Sequence, residues 1–170
     1  VGGASLYSGT AVTSGGSGES DEIDKLTIQI TNVQDTTENI VFDGSTIPIS
    51  TTGTGTTSTN GLGWTVTRDG TTSTLAFVGV STSFTTAELV IALNAATYTN
   101  TDQSPTTSAT RVITITHLAD EGSSSSPNDN SADSGLAQAT TITIAAANDA
   151  ATVANAQSDQ AATEDVAFSY

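Results

Sequence analysis

Apolar residues in this chain recur at every second position in short clusters, separated by spacers of Thr, Ser and Gly. Period two is the signature of half-buried antiparallel strands. Ser5–Thr13 reads as a first strand, followed by an acidic, Gly-rich turn over Gly15–Asp24. In Lys25–Val33, Leu26, Ile28 and Ile30 fall on one face and Thr27, Gln29 and Thr31 on the other. Asn39–Asp43 and Thr46–Ser50 make the next pair, with a tight turn around Asp43-Gly44. Thr51–Asn60 carries no apolar residue and reads as a flexible loop. Trp64–Arg68 and Ser73–Val80 form a hairpin across Asp69-Gly70, an Asp-Gly dipeptide being a strong turn signal.

The period changes once. Within Thr85–Ala96, Leu89 and Leu93 stand four apart among alanines, and Thr85 or Thr86 precedes Glu88. That spacing predicts a short helix with a threonine N-cap, used as a crossover to a strand near Tyr98. Arg111–His117 and Gln138–Ala146 alternate again, around a long polar excursion over Asp120–Gly135. Some eight short strands with long turns imply an all-β fold, an antiparallel β-sandwich with one short crossover helix.

After Ala147 the pattern breaks. Residues 1–147 read as one domain, Asn148–Thr163 as a polar linker, and Glu164–Tyr170 as a strand that opens a following domain. The same tail would also fit an extra edge strand of the sandwich, or a strand added to a neighbouring subunit.

Composition narrows the class. With 35% hydrophobic and 5% aromatic residues, the core is expected to be aliphatic and thin, as between two facing sheets. No apolar run approaches a membrane span. The chain opens on Val1 without a signal-peptide pattern and contains no Met, so a processed product or excised fragment is expected. Eighteen acidic residues against Lys25, Arg68 and Arg111 give a formal charge of −15, with no basic cluster to hold nucleic acid or an anionic membrane. Cysteine is absent, so neither disulfides nor thiolate metal sites form. For an extracellular module, calcium is the natural substitute for the missing staples. The plainer reading of the acidity is a well-solvated surface.

The runs ASLYSGTAVTS, LTIQITNV, LVIALNAATYTNT, RVITITHLAD and TITIAAANDA together resemble the cadherin-like tandem repeats of giant bacterial surface adhesins. The resemblance covers about residues 4–150. In those repeats the last strand runs into an Asn-Asp-Ala-Pro linker; here Asn148-Asp149-Ala150 fits and Ala151 replaces the proline. The ending QAATEDVAFSY resembles the start of a dystroglycan-type cadherin-like or Ig domain. The resemblance implies an Ig-like or cadherin-like sandwich, repeated in a secreted cell-surface protein, with calcium stiffening the junctions between repeats. At that junction, Asn148 and Asp149 match the linker motif, and Glu164 and Asp165 match the acidic pair opening the next domain.

Calcium takes six to eight oxygen ligands, which carboxylates and Asn carbonyls supply. Besides the junction, oxygen-rich clusters lie in the first turn (Glu19, Asp21, Glu22, Asp24) and in the long excursion (Asp120, Glu121, Asn128, Asp129, Asn130, Asp133). Asp102, after the Tyr98 strand, is expected at the same end of the sandwich as the linker. No cluster has EF-hand spacing. Catalysis is poorly supported: His117 is the only histidine and no G-x-S-x-G elbow accompanies it. Trp64 and Phe84 are expected as core anchors, and Lys25 as an exposed strand residue.

The functional expectation is a non-catalytic, calcium-stiffened extender repeat of an extracellular adhesin, whose partners are neighbouring repeats and whose distal surface ligand or glycan is bound elsewhere. A filament subunit joined by strand exchange through Val166–Tyr170, and a carbohydrate-binding module, are the alternatives.

Overall fold

A computed structural model describes residues 4–7, 22–78, 84–120, 131–132 and 138–146. Alternation builds most of it. Eleven strands are described: β1 (Ala4–Ser5), β2 (Ile23–Thr31), β3 (Glu38–Phe42), β4 (Ser45–Pro48), β5 (Gly53–Thr56), β6 (Gly63–Asp69), β7 (Thr72–Val78), β8 (Thr97–Asn100), β9 (Arg111–Asp120), β10 (Ser131–Ala132) and β11 (Ala139–Ile142). Among the described residues one helix, α1 (Thr86–Ala95), comes between β7 and β8. The strands form two antiparallel sheets, ordered β1-β8-β3-β4 and β10-β9-β2-β7-β6-β5, with β11 sharing the outer side of β9 with β10. This is the all-β sandwich with one crossover helix that the alternation implied.

One apolar cluster joins the sheets. Ile40, Phe42, Ile47 and Tyr98 of the smaller sheet meet Leu26, Ile28, Ile30, Val66, Leu75, Phe77, Ile113 and Ile115 of the larger. The rings of Phe42 and Phe77 stack across the interface with centroids 4.5 Å apart. Phe84 is buried in the same cluster, and Trp64 is partly buried against it. The Thr140 hydroxyl donates to the Leu6 carbonyl, tying β11 to the residues after β1 where the sheets meet laterally.

The helix begins as its sequence requires. The Thr85 hydroxyl accepts from the Glu88 amide, and the Glu88 carboxylate accepts from the Thr85 amide at 2.8 Å, a reciprocal capping box. Leu89, Ala92 and Leu93 are buried, while Ile91 faces solvent.

Several boundaries differ from the sequence reading, for local reasons. The stretch Thr51–Asn60 is not simply a loop: Gly53–Thr56 is an edge strand, with Gly55 directly opposite Trp64. A Cβ on Gly55 would lie 2.4 Å from Trp64 Cζ2, so the indole covers the glycine edge and supplies the apolar contact β5 lacks. The β6–β7 loop is Gly70-Thr71, one residue later than expected, because Asp69 pairs with Thr72 and Gly70 takes φ +57°. Glycine at the first loop position suits a II′ hairpin turn. The β3–β4 turn at Asp43-Gly44 stands as expected, both residues having positive φ (46° and 77°), as a I′ turn needs.

Strand β2 starts at Ile23, so Asp24 belongs to the strand and not to the preceding turn; it ends where Asn32 takes φ 62°. Strand β9 runs past His117 to Asp120, and β10 lies inside the stretch expected to be an irregular excursion. A bulge at Thr116 separates the pairs Thr27–His117 and Ile28–Ile115. It shifts the phase of β9, so that Leu118, not His117, packs against the core.

Candidate functional site

Among the described residues, the densest set of polar side-chain contacts is buried at one end of the sandwich. Strand β2 ends there and β9 begins there. Arg111, the first residue of β9, has no solvent exposure, and neither has Glu38, the first residue of β3. The guanidinium grips Glu38 with two bonds, Nε to Oε2 at 3.1 Å and Nη2 to Oε1 at 2.7 Å. Nη2 also donates to Asp35 Oδ2 at 3.1 Å, and Nη1 donates to the carbonyls of Thr106 and Ala109. All five N–H groups of this arginine therefore have acceptors.

The carboxylates are equally occupied. Glu38 Oε1 accepts from the amides of Gln34 and Asp35, each at 2.8 Å, and Oε2 accepts from the Tyr98 hydroxyl at 2.9 Å. Asp35 accepts from Asn100 Nδ2 at 2.7 Å and from the Thr106 amide at 3.0 Å. Asn100 Oδ1 in turn accepts from the Thr37 hydroxyl and the Asp102 amide. The network thus joins β3 and β8 of one sheet to β9 of the other and fixes both adjoining loops.

The titration of these groups follows from their surroundings. Burial works against ionisation of Asp35, but hydrogen bonds from Thr106 and Asn100 and the charge of Arg111 outweigh it and hold the carboxyl below its usual range. Burial likewise works against charge on Arg111, and the Glu38 bond and charge, with Tyr98 and Asp35, reverse the sign and raise it. Burial, then the neighbouring Glu38, push the Tyr98 hydroxyl well above the usual tyrosine range.

Arg68 braces the same end from the β6 side. Nη1 donates to the Ile49 carbonyl and to Ser73 Oγ, and Nη2 to the carbonyls of Val33 and Gly70. Both arginines of the chain thus hold the segment between β2 and β3, whereas Lys25 is exposed on β2. At the opposite end Asp43, also buried, accepts from the Thr57 hydroxyl at 2.5 Å and from the amide and side-chain nitrogens of Asn60 at 2.9 and 2.7 Å. That pins the loop after β5 to the β3–β4 turn. A groove of about 480 Å³ opens beside this turn, floored by Val41, Phe42 and Ala92 and rimmed by the exposed Ile91.

Of the candidate metal ligands, the structure describes four: Asp102, Asp120, Glu22 and Asp24. Asp102 is half-buried and makes a local turn, its Oδ1 accepting from the Ser104 amide at 2.8 Å. Asp120 is half-buried at the far end of β9 from Arg111, opposite Ile23. Ten strand residues span about 30 Å, so these two acids stand at opposite ends of the sandwich. Glu22 and Asp24 lie beside Asp120's end, at the start of β2. Glu19, Asp21, Glu121, Asn128, Asp129, Asn130, Asp133, Asn148, Asp149, Glu164 and Asp165 lie outside the described residues. Among the described residues no group of three or more His, Cys, Asp or Glu side chains is arranged to hold a metal.

Asp35, Glu38 and the buried role of Arg111 escaped the sequence reading. A usable signal existed: Arg111 and Glu38 both occupy inward phases of strands whose next inward residues are Ile and Phe, Ile113 and Ile115 after Arg111 and Ile40 and Phe42 after Glu38. A charge in an apolar phase calls for a buried partner.

Comparison with protein-family models, curated proteins and solved structures finds no match to this chain.

Proposed function

We propose that this chain is a non-catalytic structural module, an extender repeat of a secreted cell-surface adhesin that joins neighbouring repeats and is stiffened by calcium. One observation carries the reading: the buried charged side chains Asp35, Glu38, Asp43 and Arg111 are spent on hydrogen bonds within the fold. Groups saturated in this way brace a scaffold, and none of these four is free to act as a base on a substrate. They also provide, without a disulfide, the cross-bracing that a thin aliphatic sandwich under extracellular conditions requires. The cadherin-like resemblance and the net charge of −15 support calcium at the acidic segments, with Asn148, Asp149, Glu164 and Asp165 at the junction as its first ligands.

Calorimetric melts with millimolar calcium and with chelator test this. For a site with a dissociation constant of about 0.1–1 mM, a ten- to hundredfold excess of ion contributes about 1.4–2.7 kcal/mol. At about 2–4 °C per kcal/mol for a chain of this size, the melt should rise by roughly 3–11 °C and fall back with chelator. No shift sinks the calcium reading.

A second reading, a filament subunit, is favoured by the edge of β5, whose neighbourhood Thr51–Thr57 carries no charge or proline to discourage strand addition. Sedimentation separates the two, the extender being monomeric and the filament a ladder of large species.

A further inference from the structure

We propose that Asp69-Gly70, at the tip of the β6–β7 hairpin, is a site of spontaneous isoaspartate formation, and that the fold shields the two chemically comparable dyads, Asp43-Gly44 and Asn60-Gly61. These three are the places in the sequence where Asp or Asn precedes Gly. The reaction needs no enzyme. The glycine amide nitrogen attacks the side-chain carbonyl carbon, forming a C–N bond and a five-membered succinimide. Water leaves from an Asp, or ammonia from an Asn. Addition of one water molecule to either carbonyl then reopens the ring, giving aspartate or the isoaspartyl isomer whose backbone runs through the side chain. Glycine favours the step because no Cβ crowds the attacking nitrogen and its backbone turns freely.

The attack requires the side-chain carbonyl to swing onto the next amide, and two of the dyads hold each other away from that geometry. Asp43 is buried; Oδ2 accepts from Thr57 Oγ1 and the Asn60 amide, and Oδ1 accepts from Asn60 Nδ2. Its own carbonyl accepts from the Thr59 amide at 3.2 Å, which fixes the backbone as well. The Asn60 amide group that would be expelled is the same group that donates to Asp43 at 2.7 Å. Cyclisation at either residue therefore begins by breaking a shared set of hydrogen bonds.

Asp69 lacks this restraint. Both it and Gly70 are exposed at a loop tip. No hydrogen bond to the Asp69 carboxylate is present among the described residues; the tip is braced through its backbone carbonyls alone, Gly70 accepting from Arg68 and Thr71 from the Val33 amide, each at 2.8 Å. An isoaspartyl residue lengthens the backbone by one carbon there and pulls that carbonyl off Arg68.

The test ages the full chain at neutral pH and body temperature for several weeks, native and in denaturing urea. Isoaspartate is then tagged with an isoaspartyl methyltransferase and located by fragmentation mass spectrometry. In urea all three dyads should react, Asn60 fastest. In the native protein residue 69 should carry the signal, with residues 43 and 60 slowed at least about tenfold against their urea rates, as local opening must precede reaction. Asp69→Glu, which would need a six-membered ring, should remove the native signal without altering the melt. Absence of isoaspartate at residue 69 in the native chain, or reaction at 43 or 60 at the unfolded rate, overturns the proposal.

Discussion

Replacing Arg111 by Met removes the cation that holds two buried carboxylates between the sheets. Glu38 is fully buried and Asp35 is 7% exposed, so neither acquires water in exchange. Arg111→Met deletes two ion pairs, at 2.7 and 3.1 Å, and strips the Thr106 and Ala109 carbonyls of their donor. Removing one member of a buried pair costs about 3–5 kcal/mol, because the other charge is left unpaired. With about 2–4 °C of melting temperature per kcal/mol in a chain of this size, the loss should be roughly 6–20 °C by far-UV circular dichroism. The double variant Glu38→Gln/Arg111→Met neutralises the stranded glutamate. It should therefore melt above Arg111→Met alone, since neutral replacements of a buried pair are tolerated better than a broken one. The cycle completed with Glu38→Gln should show a coupling of about 0.5–3 kcal/mol. An Arg111→Met protein melting within a degree or two of the parent, or strictly additive losses, would refute the view that this cluster braces the sandwich.

Two further perturbations probe other joints. Because the folded pKa of Asp35 is depressed, its contribution is complete above the unfolded value of about 3.9 and is lost as pH falls through the lower folded value. The gap in urea stability between the parent and Asp35→Asn should therefore stay constant from neutral pH to about 4 and narrow below it, a comparison that cancels the general relief of negative charge. A gap that widens in acid would reverse the sign and defeat the assignment. Gly55→Ala places a methyl 2.4 Å from the Trp64 ring and should cost about 1–3 kcal/mol while shifting the emission of this sole tryptophan. Gly53→Ala, 3.8 Å from the ring, should leave emission unchanged, and equal effects from the two would rule out the indole cover on β5.

Sequence and structure divide the determination of this protein along a clear line. Local rules were enough for the class of fold: period-two alternation in Leu26–Ile30, positive-φ turn residues at Asp43-Gly44, and the Thr85–Glu88 capping box each act within a few residues. What fails locally is anything defined by a partner far along the chain. Strand β5 has no apolar residue and exists because Trp64 lies across its glycines. The phase of β9 beyond Ile115 depends on a bulge set by pairing with β2. The acids expected to bind metal were chosen by density along the sequence, and Asp102 and Asp120 stand at opposite ends of the sandwich. Of the charged residues that the fold does bring together, Arg111 lies more than seventy positions from Asp35 and Glu38, and it meets them because the starts of β3 and β9 come to one end of the sandwich. Alternation decides which way a side chain points. Only the closed pair of sheets decides what it finds there, because the cost of burying a charge is offset by neighbours that the chain supplies from elsewhere.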